Sequence, residues 1–271
     1  MIYLSSFKLS QRQINNPNIY PYNVFAGKYI EPFVFAPITV FYGNNGSGKS
    51  TLLNIIANSL GLKGKERVTS NNFGIVNYCD SFSSECSYSL GEDENGWEIR
   101  SLPKDSRYIK SEDILYEIKK IQQEQVLSEG MEYEYVQKGM SRSRAKEFVA
   151  SYAGQMQKEC IKFAQEKYSN GETSLQYFEE FLQPNALYLL DEPEVSLSPA
   201  NQVAMAEELN KLARLLQCQF IVATHSPFML GTLNAKIYNL DTKEYDVAEW
   251  YELENVRYFY NFFKKHENDF K

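Results

Sequence analysis

The stretch Phe33–Thr51, FVFAPITVFYGNNGSGKST, decides the fold. Its first half is rich in β-branched and aromatic residues, the composition of a buried strand. Its second half, Gly43–Ser50, fits the pattern GxxxxGK[ST], and Leu52, Leu53, Ile56 and Leu60 then recur at helical spacing up to Gly61. Strand, glycine-rich loop and helix in that order make a cradle for phosphate: the glycines let backbone N–H groups point inward, and the helix aims its positive end at the same oxygens. Gly43, Asn44, Asn45, Gly46, Ser47 and Gly48 are the expected cradle. Lys49 is expected on the β- and γ-phosphates of a nucleotide, the Ser50 hydroxyl on Mg²⁺, and Thr51 at the start of the helix.

The rest of the composition limits what this cradle serves. With 271 residues, 43% hydrophobic and 23% charged, the chain supports a packed core and is not disordered or low-complexity. A net charge of −7 means that the surface as a whole does not attract polyanions, so contact with DNA or RNA requires a local basic patch. The basic cluster Gly139–Lys146, GMSRSRAK, is read as a solvated loop. The richest apolar stretch, Phe33–Tyr42, is too short for a membrane span, and the first residues lack the basic-then-apolar order of a secretion signal. A cytoplasmic protein with no membrane partner is expected. Cys79, Cys86, Cys160, Cys218, His225 and His266 show no CxxC or HxxxH spacing, which argues against tetrahedral zinc and a disulfide framework.

Along the chain, residues 61–110 are turn-rich, with FGIVNY and WEIR as short strands at the edge of a mixed sheet. Ser111, Glu112 and Asp113 supply a cap and an acidic first turn for a helix with Ile114, Leu115, Ile118 and Ile121 on one face. A second helix, about Arg144–Glu166, places Phe148, Tyr152, Met156, Cys160 and Phe163 on one side. Residues 112–168 therefore read as a helical subdomain inserted into a single α/β domain spanning 1–271. The βαβ rhythm then returns with ALYLLDEPE, a helix opened by Ser198 and Pro199, and the strand QFIVATHSP. An aromatic-rich helix near the C-terminus is expected to pack on the core.

Ala186–Glu194, ALYLLDEPE, is an apolar strand ending in adjacent carboxylates that the two-residue strand period points in different directions. Asp191 is placed to reach the magnesium shell, and Glu192 to take a proton from an attacking water. His225 ends a second strand, where open α/β sheets bind ligands, and is placed to meet a γ-phosphate or the lytic water. Ser169-Asn170-Gly171-Glu172 precedes a helix at 173–182 and forms a second anion site. Two phosphate sites in one chain point to a dimer in which the second closes on the partner's nucleotide.

In chain order GNNGSGKST, YSNGE, YLLDEPE, the turn at 195–198 and ATHSP resemble the Walker A, signature, Walker B, D-loop and switch-histidine motifs of ABC-type ATPases. Ser169 lies 22 residues before Asp191, and His225 lies 34 after it, as in that superfamily. PYNVF, SRYIKSED, THSP and WYELENVRYFYNFF are further similar to small stand-alone bacterial ATPases of the AAA family, of AAA_21-like type, related to RecF, SMC and OLD proteins. The resemblance implies a P-loop NTPase fold, ATP and Mg²⁺ as cofactors, and a head-to-tail homodimer with two ATP molecules between the subunits. It implies nucleotide contacts from Gly43, Gly48, Lys49, Ser50 and Thr51, metal contact from Ser50 and Asp191, and hydrolytic roles for Glu192 and His225 with Lys49. Ser169 and Gly171 carry over to the contact made in trans, although Ser-Asn-Gly-Glu departs from the family's serine-glycine-glycine order. No glutamine lies between Thr51 and Gln122, so Ser111 or Glu112 takes the position of the family's metal-contacting glutamine, where helix capping explains them equally well. Tyr20, Tyr22 and Phe25 are the candidates to stack on adenine.

The function expected is an ATP-hydrolysing dimer that drives or switches a separate effector protein in DNA repair or phage defence. No nuclease constellation and no long coiled-coil arm is evident in the chain. The competing readings are the nucleotide-binding subunit of a transporter, disfavoured because Ser226 and Pro227 follow the histidine, and a slow nucleotide-gated binding module.

Overall fold

In the computed structural model the described residues are 1–66, 78–110, 131–151 and 182–271, apart from 13, 17, 29, 30, 94, 134 and 196. The chain divides into two compact units, one formed by 1–111 with 180–271 and the other by 112–179.

The first unit is built on a five-stranded sheet. Its order is β5 (Arg107–Lys110), β6 (Leu187–Asp191), β7 (Gln219–Ala223), β3 (Ile38–Tyr42), β8 (Lys236–Asn239), and every pairing is parallel. The central strands ITVFY, LYLLD and QFIVA are buried at every residue, as strands covered on both faces must be. Helix α2 (Lys49–Ser59) follows β3 and buries Leu52, Leu53, Ile55 and Ile56. It starts at Gly48, whose φ of 96° is in the left-handed region and whose missing Cβ would press on Val24. Two further helices open as their sequences dictate, with a serine cap followed by proline in the first turn: Ser198 before α5 (Pro199–Leu215) and Ser226 before α6 (Pro227–Thr232).

A second, antiparallel sheet of β2 (Phe33–Val34), β1 (Leu4–Lys8) and β4 (Ser87–Leu90) belongs to the same unit. A buried glutamine stitches it to the parallel sheet. Gln219 Oε1 accepts from the backbone N–H groups of Tyr3 (2.8 Å) and Leu4 (2.9 Å), and its Nε2 donates to the carbonyls of Leu4 (2.9 Å) and Ala36 (3.3 Å). Phe7, Phe33, Phe41 and Tyr238 pack in the core between these elements.

Several local expectations are corrected. Parallel and antiparallel pairings are divided between two sheets, and Arg107–Lys110 is a parallel edge strand of the central one. WEIR forms only an isolated bridge between Glu92 and Glu98, because the Asn95-Gly96 turn bonds back onto Asp93. FGIVNY falls largely outside the described residues, and its last residue opens the polar helix α3 (Tyr78–Glu85). In the second unit, α4 (Arg142–Ala150) ends at Ser151, whose backbone is extended, and the remainder of the helix expected to Glu166 lies outside the described residues. Arg142, Arg144 and Lys146 begin this helix and do not lie in a loop. The C-terminal helix α7 (Glu254–Lys265) buries only Val256, and Tyr258, Phe259, Tyr260, Phe262 and Phe263 are exposed.

Replacing Gln219 by leucine keeps the volume and strips four backbone groups of their partner. Unsatisfied buried groups cost about 1–3 kcal/mol each before relaxation. Gln219→Leu is therefore expected to lose about 2–4 kcal/mol in urea denaturation; a loss below about 0.5 kcal/mol would show that the stitch contributes nothing.

Candidate functional site

Parallel strands that end at one level bring their following loops together, and here β3, β6 and β7 deliver three motifs to one edge. Glu192 N–H donates to the Ala223 carbonyl (2.9 Å), and Thr224 N–H donates to the Phe41 carbonyl (3.2 Å). These two bonds carry the ladder one step past the strands. β7 lies between the strand of the glycine-rich loop and the strand of the paired carboxylates, so His225 emerges between them.

Lys49 is 4% exposed. Its ammonium donates to the carbonyls of Gly43 (2.8 Å) and Asn44 (3.3 Å) and lies 3.4 Å from Glu192 Oε1. Burying a cation this deeply requires such partners. Asn44 is held by Asp241, whose carboxylate accepts from its backbone N–H (3.0 Å) and its side-chain amide (3.0 Å). Ser47 Oγ is buried with no partner among the described groups, and Asn45 and Gly46 are exposed at the loop tip.

Asp191 accepts from the Ser50 hydroxyl (3.1 Å) on one oxygen and from the Tyr108 phenol (3.1 Å) on the other. Burial pushes its carboxyl above the ordinary aspartate value, against the lowering effect of those two hydrogen bonds. Glu192 has a φ of 46°, rare for a residue with a Cβ and of the kind retained at functional sites. Its Oε1 lies 3.3 Å from His225 Nδ1 as well as 3.4 Å from Lys49 Nζ. Glu194, buried beneath them, accepts from the Thr224 hydroxyl (2.5 Å).

The residues read from the sequence as Gly43, Asn44, Asn45, Gly46, Ser47, Gly48, Lys49, Ser50, Thr51, Asp191, Glu192 and His225 thus lie on or beside one edge of the sheet. Ser169, Gly171, Ser111 and Glu112 lie outside the described residues. Of the three adenine candidates, Tyr22 and Phe25 are buried against Phe82, which removes them, while Tyr20 is exposed and its phenol donates to Thr51 Oγ1 (3.3 Å). Tyr108, Asp241 and Glu194 were not singled out by sequence reasoning. Each meets its partner across a long stretch of chain, which local pattern does not register.

The site fits a nucleotide with a divalent cation. Asp191 and Glu192 bring two adjacent carboxylates beside one buried ammonium. Ser50 and Asp191 offer the hydroxyl and carboxylate oxygens that Mg²⁺ prefers when phosphates and water complete its shell. Phosphate oxygens would meet Lys49 and the first N–H groups of α2, which have no intrahelical acceptors.

A glycine-rich loop between a parallel strand and a helix, with paired carboxylates ending a second strand, defines a P-loop ATPase of the AAA/ABC type. Residues 74–231, more than half of the chain, match the AAA_21 family, described as "AAA domain, putative AbiEii toxin, Type IV TA system", and the chain belongs to that family. No curated protein matches it in sequence. Among solved structures it is similar to the Smc head domain of Pyrococcus furiosus bound to the C-terminal domain of ScpA, at 15% identity with a TM-score of 0.43, over 92% of this chain and 96% of that one. It is also similar to the SMC head domain of Thermotoga maritima, at 14% identity and a TM-score of 0.43, over 92% and 99%. A nucleotide-free ATP-binding cassette from an ABC transporter matches at 14% identity and a TM-score of 0.40, over 89% and 88%. No helix among the described residues is long and apolar enough to cross a membrane.

Because burial disfavours the charged Asp191, its contribution to folding is fully present at low pH and is lost as pH rises through its raised value. Asp191→Asn is therefore expected to raise the melting temperature of the nucleotide-free protein at neutral pH by about 2–4 °C, on the order of 1 kcal/mol. The same variant is expected to lose the further rise that Mg²⁺ adds to ATP. A lowered melting temperature without nucleotide would sink the desolvation argument.

Proposed function

We propose that the chain binds Mg-ATP through the Gly43–Thr51 loop and hydrolyses it as a homodimer, switching a separate effector protein between two states. The observation that carries this reading is the convergence of Lys49, Asp191, Glu192 and His225 at one sheet edge, with Glu192 Oε1 lying 3.4 Å from Lys49 Nζ and 3.3 Å from His225 Nδ1. Lys49 holds the terminal phosphates. Ser50 and Asp191 hold Mg²⁺, which supplies electrostatic stabilisation of charge on the transferring phosphoryl group. Glu192 is the general base: its carboxylate takes the proton of the attacking water, and its backbone is fixed by the bond to Ala223. His225, beside Glu192, meets the γ-phosphate or the attacking water. Tyr20, the exposed aromatic beside Thr51, is the adenine contact.

Ser169 and Gly171 are proposed to close on the partner's nucleotide, with Ser111 or Glu112 near the metal, and residues 112–168 are proposed to form a helical subdomain within the ATPase domain. The family's description names a toxin of a toxin–antitoxin system, which supports phage defence as the setting and a separate protein as partner. A cytoplasmic location and nucleic acid as a further ligand belong to the same proposal, the basic start of α4 supplying the local positive charge.

Glu192→Gln is expected to retain ATP affinity, to lower turnover by about 10²–10⁴-fold, and to accumulate a dimer in Mg-ATP. Size-exclusion chromatography with light scattering, run with and without Mg-ATP beside a turnover assay, checks it. A monomer under both conditions would defeat the dimer, and unchanged turnover would defeat the base.

A further inference from the structure

Below the charged cluster lies a group that none of these roles uses. Glu194 is 5% exposed, three residues past Asp191, on the turn that follows Pro193. Its Oε1 accepts the Thr224 hydroxyl at 2.5 Å and lies 3.4 Å from the His225 backbone nitrogen and 4.0 Å from His225 Nδ1. Its Oε2 is buried with no partner among the described groups. Thr224 is fully buried, and its hydroxyl in turn accepts the Ser226 backbone N–H at 3.0 Å. Ser226 caps α6 through the Met229 N–H and donates to Gln202 Oε1 on α5 at 2.5 Å. The backbone on both sides of His225 is thus clamped, and the innermost member of the clamp is a carboxylate.

A carboxylate is an expensive choice for that place. Burial pushes the Glu194 carboxyl above its ordinary value, with Glu192 adding to the rise and the Thr224 bond opposing it. Space-filling alone would be met by an apolar side chain at no desolvation cost. What an apolar side chain lacks is an oxygen that reaches the Thr224 hydroxyl and the His225 amide together.

We propose that Glu194 is a positioning residue that fixes the Thr224–His225–Ser226 turn, and through it the side chain of His225 against Glu192. It acts through His225 and touches neither nucleotide nor metal. This inference rests on the hydrolytic reading only in its kinetic consequence; the placement of the imidazole is measurable without nucleotide. Outer-layer partners that orient metal-bound histidines typically contribute about 10–100-fold, and an effect of that order is expected here.

Glu194→Ala is expected to lower kcat for ATP by about 10–100-fold while KM stays within about 3-fold, because Lys49, Ser50 and Asp191 keep their own partners. Glu194→Gln retains an acceptor oxygen for Thr224 and is expected to stay within about 3-fold of the parent. On a His225→Ala background, Glu194→Ala is expected to add no more than about 2-fold, since two residues acting as one unit are not additive. The readout independent of turnover is nitrogen-15 NMR of the imidazoles in the nucleotide-free protein. The chain has two histidines, so His225→Ala assigns the signals. Glu194→Ala is expected to displace the His225 ring resonances and leave those of His266 in place, and Glu194→Gln to restore them. Thr224→Val, which removes the hydroxyl while keeping the shape, is expected to displace the same signals and decides the matter should Glu194→Ala not fold. Unmoved His225 resonances, or a fully additive loss in the double variant, would overturn the proposal. Displaced resonances in a protein that does not hydrolyse ATP would retain the positioning role and reject the hydrolytic one.

Discussion

The site depends on the register of three parallel strands. Asp191 pairs with Ala223 and Ala223 with Phe41, so β6, β7 and β3 run out at one level. Past that level the chain makes three different turns: into the glycine-rich loop at Gly43, into the left-handed residue Glu192, and into the clamped turn at His225. The bonds Glu192 N–H to Ala223 and Thr224 N–H to Phe41 hold the first residue of two of these turns on the neighbouring strand. A one-residue slip in either pairing would reverse which face each side chain occupies and separate Glu192 from Lys49 and His225. Full burial of the three strands specifies the register, because a slip would also expose Phe41, Leu190 or Ile221 to a different layer.

The proposed ligand-binding groups at that edge have partners within the chain itself. Lys49 is satisfied by two carbonyls of its own loop and by Glu192, and Asp191 by the hydroxyls of Ser50 and Tyr108. Each of these bonds joins a proposed ligand-binding group to a neutral or oppositely charged partner that phosphate or metal can replace. Lys49 and Asp191 are thereby buried with partners, and a bare buried charge in their place would cost several kcal/mol. Asp241 has a different place. It holds Asn44 by backbone and side chain from the turn after β8, so the entrance of the loop is fixed from the opposite end of the sheet order to the carboxylates.

What could be read from the sequence is whatever is contiguous. Gly43–Ser50, Asp191-Glu192 and the Ser198-Pro199 and Ser226-Pro227 helix starts each complete their chemistry within a few residues, and local geometry follows from local text. Tyr108, Gln219 and Asp241 act across 83, 215 and 197 residues, on Asp191, Leu4 and Asn44, and no local pattern distinguishes them from other polar or aromatic positions. The helix at 78–85 is not legible for a related reason: it is polar and weakly periodic, so its composition resembles loop while its backbone hydrogen bonding does not.

The C-terminal aromatics mark the limit of reading burial from hydrophobicity. Phe259, Phe262, Phe263 and Phe270 recur at helical spacing, the pattern that in an ordinary helix faces a core. Among the described residues the helix is anchored at its start. Val256 is buried, Asn255 N–H donates to the Tyr42 hydroxyl (3.2 Å), and Trp250 lies against Gly231 of α6, where a Cβ would come within 3.3 Å of its ring. Tyr42 precedes the phosphate loop and α6 follows His225, so the anchors are the ends of two site-bearing elements. Beyond them the helix runs clear of the described core, and Tyr258 is 72% exposed. The periodicity was real but reports only that one face is apolar. Whether that face meets the chain's own core is decided by where the preceding anchors aim the helix, and those are set by contacts with residues 42 and 231, far away in the sequence.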